Sequence, residues 1–408
     1  MPGRLSTLVD MYAFVVKSRR NHDITEPAEW TDPKRKAWVG TVLVPLMPFA
    51  AWGLVSWTGI TAFWFLGPAL VFGLLPVLDR IQGLDTENPP EERVSELEAD
   101  HWYRWCTYLF MPVQYAGLVL AAHLWATGNL SIVASLGLAL TVAMVAGIAI
   151  NTAHELGHKH PTVERRLAKV GLAQSLYGHF YIEHNRGHHV RVSTPDDPAS
   201  SRLGETFWEF LPRTVIGSAR SAIHLERERS TRLDRSFWSP KNDLLNAWSL
   251  SVVLYGTLLA VFGVGIAPWL ALQAVLGFCM LELVNYIEHY GLLRQQNEKG
   301  RYERCRPEHS WNASNLASNL MLFQLQRHSD HHANPTRRYQ SLRHFEEVPQ
   351  LPTGYAGMIL VALVPAWWRR VMDDRVVDFY GGDVTRANIH PRTRAKVLGR
   401  CGAGAGRA

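Results

Sequence analysis

Histidine is the residue whose type and spacing in this chain most clearly point to chemistry. The chain has 408 residues and 18 histidines, and eight of these fall in three short windows. The windows read His154-Glu-Leu-Gly-His158, Glu183-His184-Asn-Arg-Gly-His188-His189 and Gln326-Arg-His328-Ser-Asp-His331-His332. A ninth, His289, stands in Asn285-Tyr-Ile-Glu-His289-Tyr-Gly291. Each window holds a pair four residues apart, which a helix places on one face. Neutral imidazole is the commonest metal ligand near neutral pH. Eight or nine such ligands exceed what one tetrahedral zinc needs and suggest two metals. Nitrogen ligands suit iron, copper, zinc and nickel. Two irons held mainly by neutral nitrogen could bind and reduce O₂. The acids Glu155, Glu183, Glu288 and Asp330 adjoin the histidines and are expected to orient the rings.

Simpler readings compete. His289 taken alone reads as a structural histidine at a helix end. His160, His179, His309 and His344 lack regular spacing and read as surface or neighbouring residues rather than ligands. His154-Glu155-Leu-Gly-His158 also matches H-E-x-x-H, the zinc metalloprotease helix. A membrane zinc protease would need one further ligand and leaves the other histidines unexplained.

The elements that must position these residues are membrane helices. Residues 38–57, 61–78, 105–126, 131–152, 244–263 and 267–287 are predominantly apolar. Each is long enough to cross a ~30 Å hydrocarbon core as a helix. No Lys or Arg lies between Trp38 and Asp79, Trp105 and Ala153, or Asp243 and His289. The short links near Gly59, Gly128 and Gly263 carry no basic residue and are expected outside. The N-terminal arm carries Lys17, Arg19, Arg20, Lys34, Arg35 and Lys36 and is expected inside. The expected fold is all-α: a six-transmembrane-helix integral membrane protein with a cytoplasmic, histidine-rich diiron cap. Both termini and the active site then face the cytoplasm of a bacterial inner membrane.

The expected organisation is an arm over residues 1–37 and one membrane domain over 38–390. Its cytoplasmic inserts are 80–104, 153–242 and 289–390, and a flexible tail or linker follows over 391–408. Asn88-Pro-Pro-Glu-Glu92 predicts a helix start, with acids in the first turn. Residues 355–368 are apolar but short for a span and predict an interfacial or buried helix. The first apolar run is too long for a signal-peptide core. Cys106, Cys279, Cys305 and Cys401 form no C-x-x-C, which suits a reducing compartment and argues against an iron–sulfur or rubredoxin-type module. The net charge of +6 reflects the inside bias, and no nucleic-acid motif accompanies it. The cluster Arg227, Arg229, Arg232, Arg235 reads as a solvated inside face or a dock for an acidic partner. In the second span, Gly67, Val71, Leu74 and Leu78 form one stripe at helical spacing. That stripe is ordinary packing or the wall of a substrate channel. A metal transporter would need ionisable groups within the spans, and the mid-span segments are nearly free of them.

At four segments the chain resembles the bacterial membrane-bound alkane 1-monooxygenases. They are Asn151-Thr-Ala-His-Glu-Leu-Gly-His-Lys159, Glu183-His-Asn-Arg-Gly-His-His189, Asn285-Tyr-Ile-Glu-His-Tyr-Gly-Leu292 and Leu325-Gln-Arg-His-Ser-Asp-His-His332. The three-cluster pattern is shared with membrane fatty-acid desaturases and hydroxylases; the Asn285 and Leu325 segments narrow it. The resemblance covers about residues 20–390. It implies two iron ions held by His154, His158, His184, His188, His189, His289, His328, His331 and His332. It implies O₂-dependent hydroxylation of a linear alkane at its terminal methyl, with the second oxygen leaving as water. It also implies rubredoxin as electron donor, reduced in turn by an NADH-dependent reductase. By charge, Arg337–Arg338 read as a second basic dock for an acidic carrier. No rubredoxin motif lies in the chain, and the Gly/Ala tail reads as a possible linker to a fused one. A fatty-acyl desaturase or hydroxylase would use the same iron cage.

Overall fold

The computed structural model describes residues 30–404. Most of the expected N-terminal arm lies outside them. Six helices are long and apolar enough to cross a membrane: Val39–Thr58, Thr61–Gln82, His101–Ala126, Ile132–Gly157, Asp243–Phe262 and Val264–His289. Among the described residues there is no β-strand, only isolated bridges. The spans therefore follow the apolar runs of the sequence, with the ends displaced. The fourth runs five residues past the expected 152, so that it carries His154 itself, and the sixth ends on His289.

Side-chain caps fix the starts of three spans. Asp100 accepts from the Trp102 N–H, Ser131 from Ala134 and Asn242 from Leu245. Gly59, at φ 72°, ends the first span in the left-handed conformation that glycine adopts without penalty.

The fourth span is the central one. From Gly137 to Gly157 nearly every residue is buried, whereas the fifth exposes Val252 and Val253. Lipid tails are as apolar as leucine, so close packing of small residues holds spans together. Gly147 lies against Met280, and Gly277 against Ala146, where the fourth and sixth spans cross. Gly67 lies against Thr141, and a Cβ there would sit 2.7 Å from the Thr141 Cα. The Gly67 N–H donates to Thr141 Oγ1, which donates to the Trp64 carbonyl (2.9 and 2.7 Å). Gly67 is thus a crossing point between the second and fourth spans.

The second span is not a regular helix. Residues Ala69–Leu74 form a π-helical stretch just before Pro76. Proline lacks the N–H of an α-helical turn and its ring crowds the carbonyl four residues earlier. The wider turn changes which side chains point inward. Val71 and Leu75 are 6% and 3% exposed, while Leu74 is 47% exposed.

Two inserts cover one end of the bundle. The first holds helices Thr162–Ala173 and Phe207–Arg232, the latter opened by a Thr206/Glu209 capping box. The second follows the sixth span. A helix starts at Glu91 with Glu91 and Glu92 in its first turn, as the Asn-Pro-Pro-Glu-Glu sequence predicts. The apolar stretch 355–368 is two helices, Tyr355–Ala362 and one beginning at Pro365. Tyr355, Met358, Ile359 and Ala362 are buried in the core beside the sixth span. Where a flexible tail is expected, a helix runs over Arg394–Gly404 and sets Val397 and Leu398 against the same core. Its alternation of apolar and basic residues suits a helix that docks by one face.

Candidate metal centre

All nine expected histidines converge beneath the ends of the fourth and sixth spans. They form two groups: His154, His158, His184, His189 and His331, and His188, His289, His328 and His332. Within each group the candidate ligand atoms lie within 4.8 Å of one another. His158 and His189 are half-buried and the other seven are buried.

The grouping follows from helix geometry. His154 and His158, four apart across the end of the fourth span, serve the same group. His328 and His332 do likewise in the helix His328–Ala333. Adjacent residues on a helix point about 100° apart. His188 and His189 therefore go to different groups, as do His331 and His332. The segment His184–His188 is a π-helical turn, a feature common at functional sites. Its members His184 and His188 also divide between the groups.

The nitrogens fit a metal better than they fit each other. Nε2 of His154 lies 2.9 Å from that of His331, which lies 3.1 Å from that of His189. His189 in turn lies 3.1 Å from His184, and His332 lies 2.9 Å from His328. Ligands at right angles about a metal with bonds of ~2.1 Å are separated by roughly 3 Å. The Nε2 atoms of His158, His188 and His289 are buried with no hydrogen-bond partner. Such groups are costly unless something binds them. Burial first, and the neighbouring rings second, hold His184, His189, His328, His331 and His332 well below the ordinary imidazole pKa. These rings are neutral, the form that ligates metal.

Of the four neighbouring acids, three pair with cations instead of rings. Glu155 pairs with Lys159 at 3.1 Å and accepts the Tyr339 N–H. Glu183 binds Arg191 at 2.8 Å. Asp330 accepts two bonds from Arg337 and one from the Arg343 N–H. These three brace the surrounding segments through those bonds, because the residue next to a helical histidine points away from its ring. Glu288 does reach one: its Oε2 lies 3.1 Å from His328 Nε2, the nitrogen that faces the group. Tyr355 donates to its other oxygen at 2.8 Å.

The carboxylate that orients a ring from behind is Asp197, which no local spacing singles out. Its Oδ2 meets His188 Nδ1 at 2.9 Å, and Ser200 Oγ and the Ala199 N–H fix it. Burial opposes its charge, but His188 and Ser200 outweigh that and hold the carboxyl at about 2. Arg327 is a second residue missed. Fully buried, it donates to Asp85 Oδ2 and to the carbonyls of Asp85, Glu87 and Leu342. It thereby ties the third cluster to residues 85–88. Of the remaining histidines, His344 meets Ser314, and the His309 carbonyl lies 3.4 Å from His289 Nδ1. His179 is buried beside Tyr177, and His160 is exposed.

An apolar cavity adjoins the centre. Its walls include Val71, Leu75, Met144, Ile148, Met280, Val284 and Ile359. It also touches Asn151, Leu325 and Tyr355. Asn151 precedes His154 by about one helical turn, and Tyr355 bonds Glu288, which reaches His328. Of the stripe expected in the second span, only Val71 borders this cavity. Gly67 is the backbone crossing, Leu74 faces outward, and Leu78 borders a separate pocket between the first two spans.

The chain is similar to known proteins over this whole frame. The family model for fatty acid desaturases matches residues 130–362. An alkane 1-monooxygenase of Acinetobacter baylyi is 45% identical over 91% of this chain and 92% of its own length. One from Alcanivorax borkumensis is 47% identical over 90% of each. The hydroxylase component XylM of a xylene/toluene monooxygenase from Pseudomonas putida is 25% identical over 83% of this chain and 88% of its own. With its histidines gathered into two metal-sized groups against an apolar cavity, this chain belongs to the alkane 1-monooxygenases, within the fatty acid desaturase family.

Proposed function

We propose that this chain hydroxylates linear alkanes at the terminal methyl group, with two irons in the two histidine groups and electrons from rubredoxin. The single observation that carries the reading is the five-plus-four division of the histidines beside an apolar cavity. Two irons, when bound, supply O₂ activation; the residues supply access and geometry. Alkane dissolves in the bilayer, so a cavity walled by spans can be loaded from the side. Its walls exclude water and offer the chain few orientations. A chain that enters end-on presents its methyl group, so position rather than C–H bond strength selects the site of attack. Glu288, held by Tyr355, puts a carboxylate oxygen at the edge of the four-histidine group, where it can ligate or hold a proton.

The half-buried His158 and His189 both belong to the five-histidine group, which makes that group the nearer one to an approaching carrier. Arg337 and Arg338 are engaged by Asp330 and Glu164, so they do not offer a free docking patch. Arg227, Arg232 and Arg235 are exposed and remain the basic face for an acidic carrier. The basic residues beside the inserts, and their absence from the links near Gly59, Gly128 and Gly263, support a cytoplasmic centre in a bacterial inner membrane.

The test is turnover of octane by iron-loaded protein with rubredoxin and its reductase, run beside an acyl-chain substrate. 1-Octanol should form, and the rate should fall as salt screens the carrier. Desaturated acyl product with no octanol would assign the chain to the other activity of its superfamily. A rate with NADH alone equal to that with rubredoxin would remove the carrier from the scheme.

Chain length has its own test. Val71→Trp should fill the cavity by roughly three methylenes, and each methylene left unburied loses about 0.8 kcal/mol. Turnover should shift toward shorter alkanes, with hexadecane affected most and bound iron unchanged. An unaltered chain-length profile would show that Val71 does not border the bound substrate.

A further inference from the structure

Outside the histidine centre, a strongly basic concavity lies beside the first insert. Arg165, Arg166, Lys169, Arg186, Arg229 and Asp243 line it. Its acids are already committed. Asp243 binds Lys169 and Arg186 at 2.5 Å each, and Glu226 binds Arg186 and Arg229 at 2.5 and 2.7 Å. Arg165 donates to the His160 carbonyl and Thr162 Oγ1. Arg166 is exposed and makes no ion pair among the described residues. Five cations thus share Asp243 of the lining and Glu226 behind it, and Arg165 and Arg166 make no ion pair among the described residues.

Its position in the fold selects the ligand. Thr162 follows the end of the fourth span at Gly157 by one short turn, and Asp243 is the first residue of the fifth. The concavity therefore sits where two spans leave the bilayer. Trp238, five residues before Asp243, is 79% exposed, as an interfacial aromatic is. Further along the fifth span, Val252 and Val253 are 71% and 65% exposed and offer an apolar face to acyl chains. Basic pockets between spans at this level suit anionic headgroups. An acidic protein would meet the exposed arginines farther out rather than a recess at the bilayer surface.

We propose that this concavity binds the phosphate of an anionic phospholipid, with Arg165 and Arg166 as its primary contacts. Arg186 lies in the π-helical turn between His184 and His188, so a bound headgroup braces the segment that divides these ligands.

The experiment titrates the purified full-length chain, in mixed micelles, with phosphatidylglycerol or phosphatidylcholine. Bound lipid is counted by native mass spectrometry and stability is followed by thermal melting. Phosphatidylglycerol should bind more tightly and raise the melting temperature. The double substitution R165Q/R166Q should weaken its binding about thirty-fold, at ~1 kcal/mol per basic residue. R232Q/R235Q, which removes equal charge elsewhere, should leave it unchanged. Equal binding of the two lipids, or an unweakened R165Q/R166Q protein, overturns the proposal. So does an equal thermal shift from inorganic phosphate alone, which would make this a free-anion site. A change confined to the Michaelis constant for rubredoxin would make it a protein dock and also overturn it.

Discussion

His158→Ala should remove about half of the bound iron, and His332→Ala the other half. The two residues belong to separate groups, whose members reach in from different elements. His158 is one of five ligands offered to its group, and His332 one of four. Removing one nitrogen weakens one site and leaves the other with its full set. The double variant should bind almost no iron. Each single variant should lose turnover by about a hundredfold or more, because two-electron reduction of O₂ needs both metals; a hundredfold is ~2.7 kcal/mol. The measurements are iron per chain by elemental analysis and octane turnover in the same preparations. Loss of all iron from either single variant would mean that the nine histidines act as one indivisible cage. Full iron in both would remove these residues from the ligand set.

Asp197→Asn is expected to loosen the four-histidine group alone. Asp197 accepts from His188 Nδ1, which fixes the ring's tautomer and turns Nε2 toward the group. Asparagine keeps the shape and loses the charge that raises ligand basicity. Comparable carboxylate partners are worth about 10–100-fold in metal affinity. Challenge with a chelator should strip iron from the four-histidine group at correspondingly lower concentration. The five-histidine group should hold its metal as in the parent. Asp197→Ala should be worse, because Ser200 and the Ala199 N–H also lose their partner. Equal chelator resistance in Asp197→Asn and parent would reduce Asp197 to a loop brace.

Much of this architecture is legible along the chain because it depends on local period and solvent. A span must be apolar over its whole length, so composition alone marks all six helices within a few residues of their ends. Histidines at i and i+4 mark one face of a helix without any partner being known. The sequence is less informative wherever a wider turn intervenes. In the second span a 3.6-residue period puts both Leu74 and Leu75 near the face of Val71, and only the structure, with its π-helical stretch before Pro76, shows that Leu75 turns inward and Leu74 outward. In the expected tail, Val397 and Leu398 precede the Gly/Ala run and find a core to dock on, Arg394–Gly404 is helical, and residues 405–408 lie outside the described ones.

The sequence by itself determined the all-α membrane fold, the nine histidines that meet, and the class of chemistry that neutral nitrogen ligands permit. Only the tertiary structure decided how those histidines divide. Neighbours such as His331 and His332 carry no mark of separate duties until helices from distant parts of the chain face them from two sides. The same holds for the acids. Glu155, Glu183 and Asp330 look like ring partners by proximity but turn to Lys159, Arg191 and Arg337. Asp197, nine residues from His188, reaches that ring because Thr194, Ser200 and their neighbours fold the loop back. Helical period is a property of a few consecutive residues. Which atom a side chain finally meets depends on packing between segments far apart in sequence.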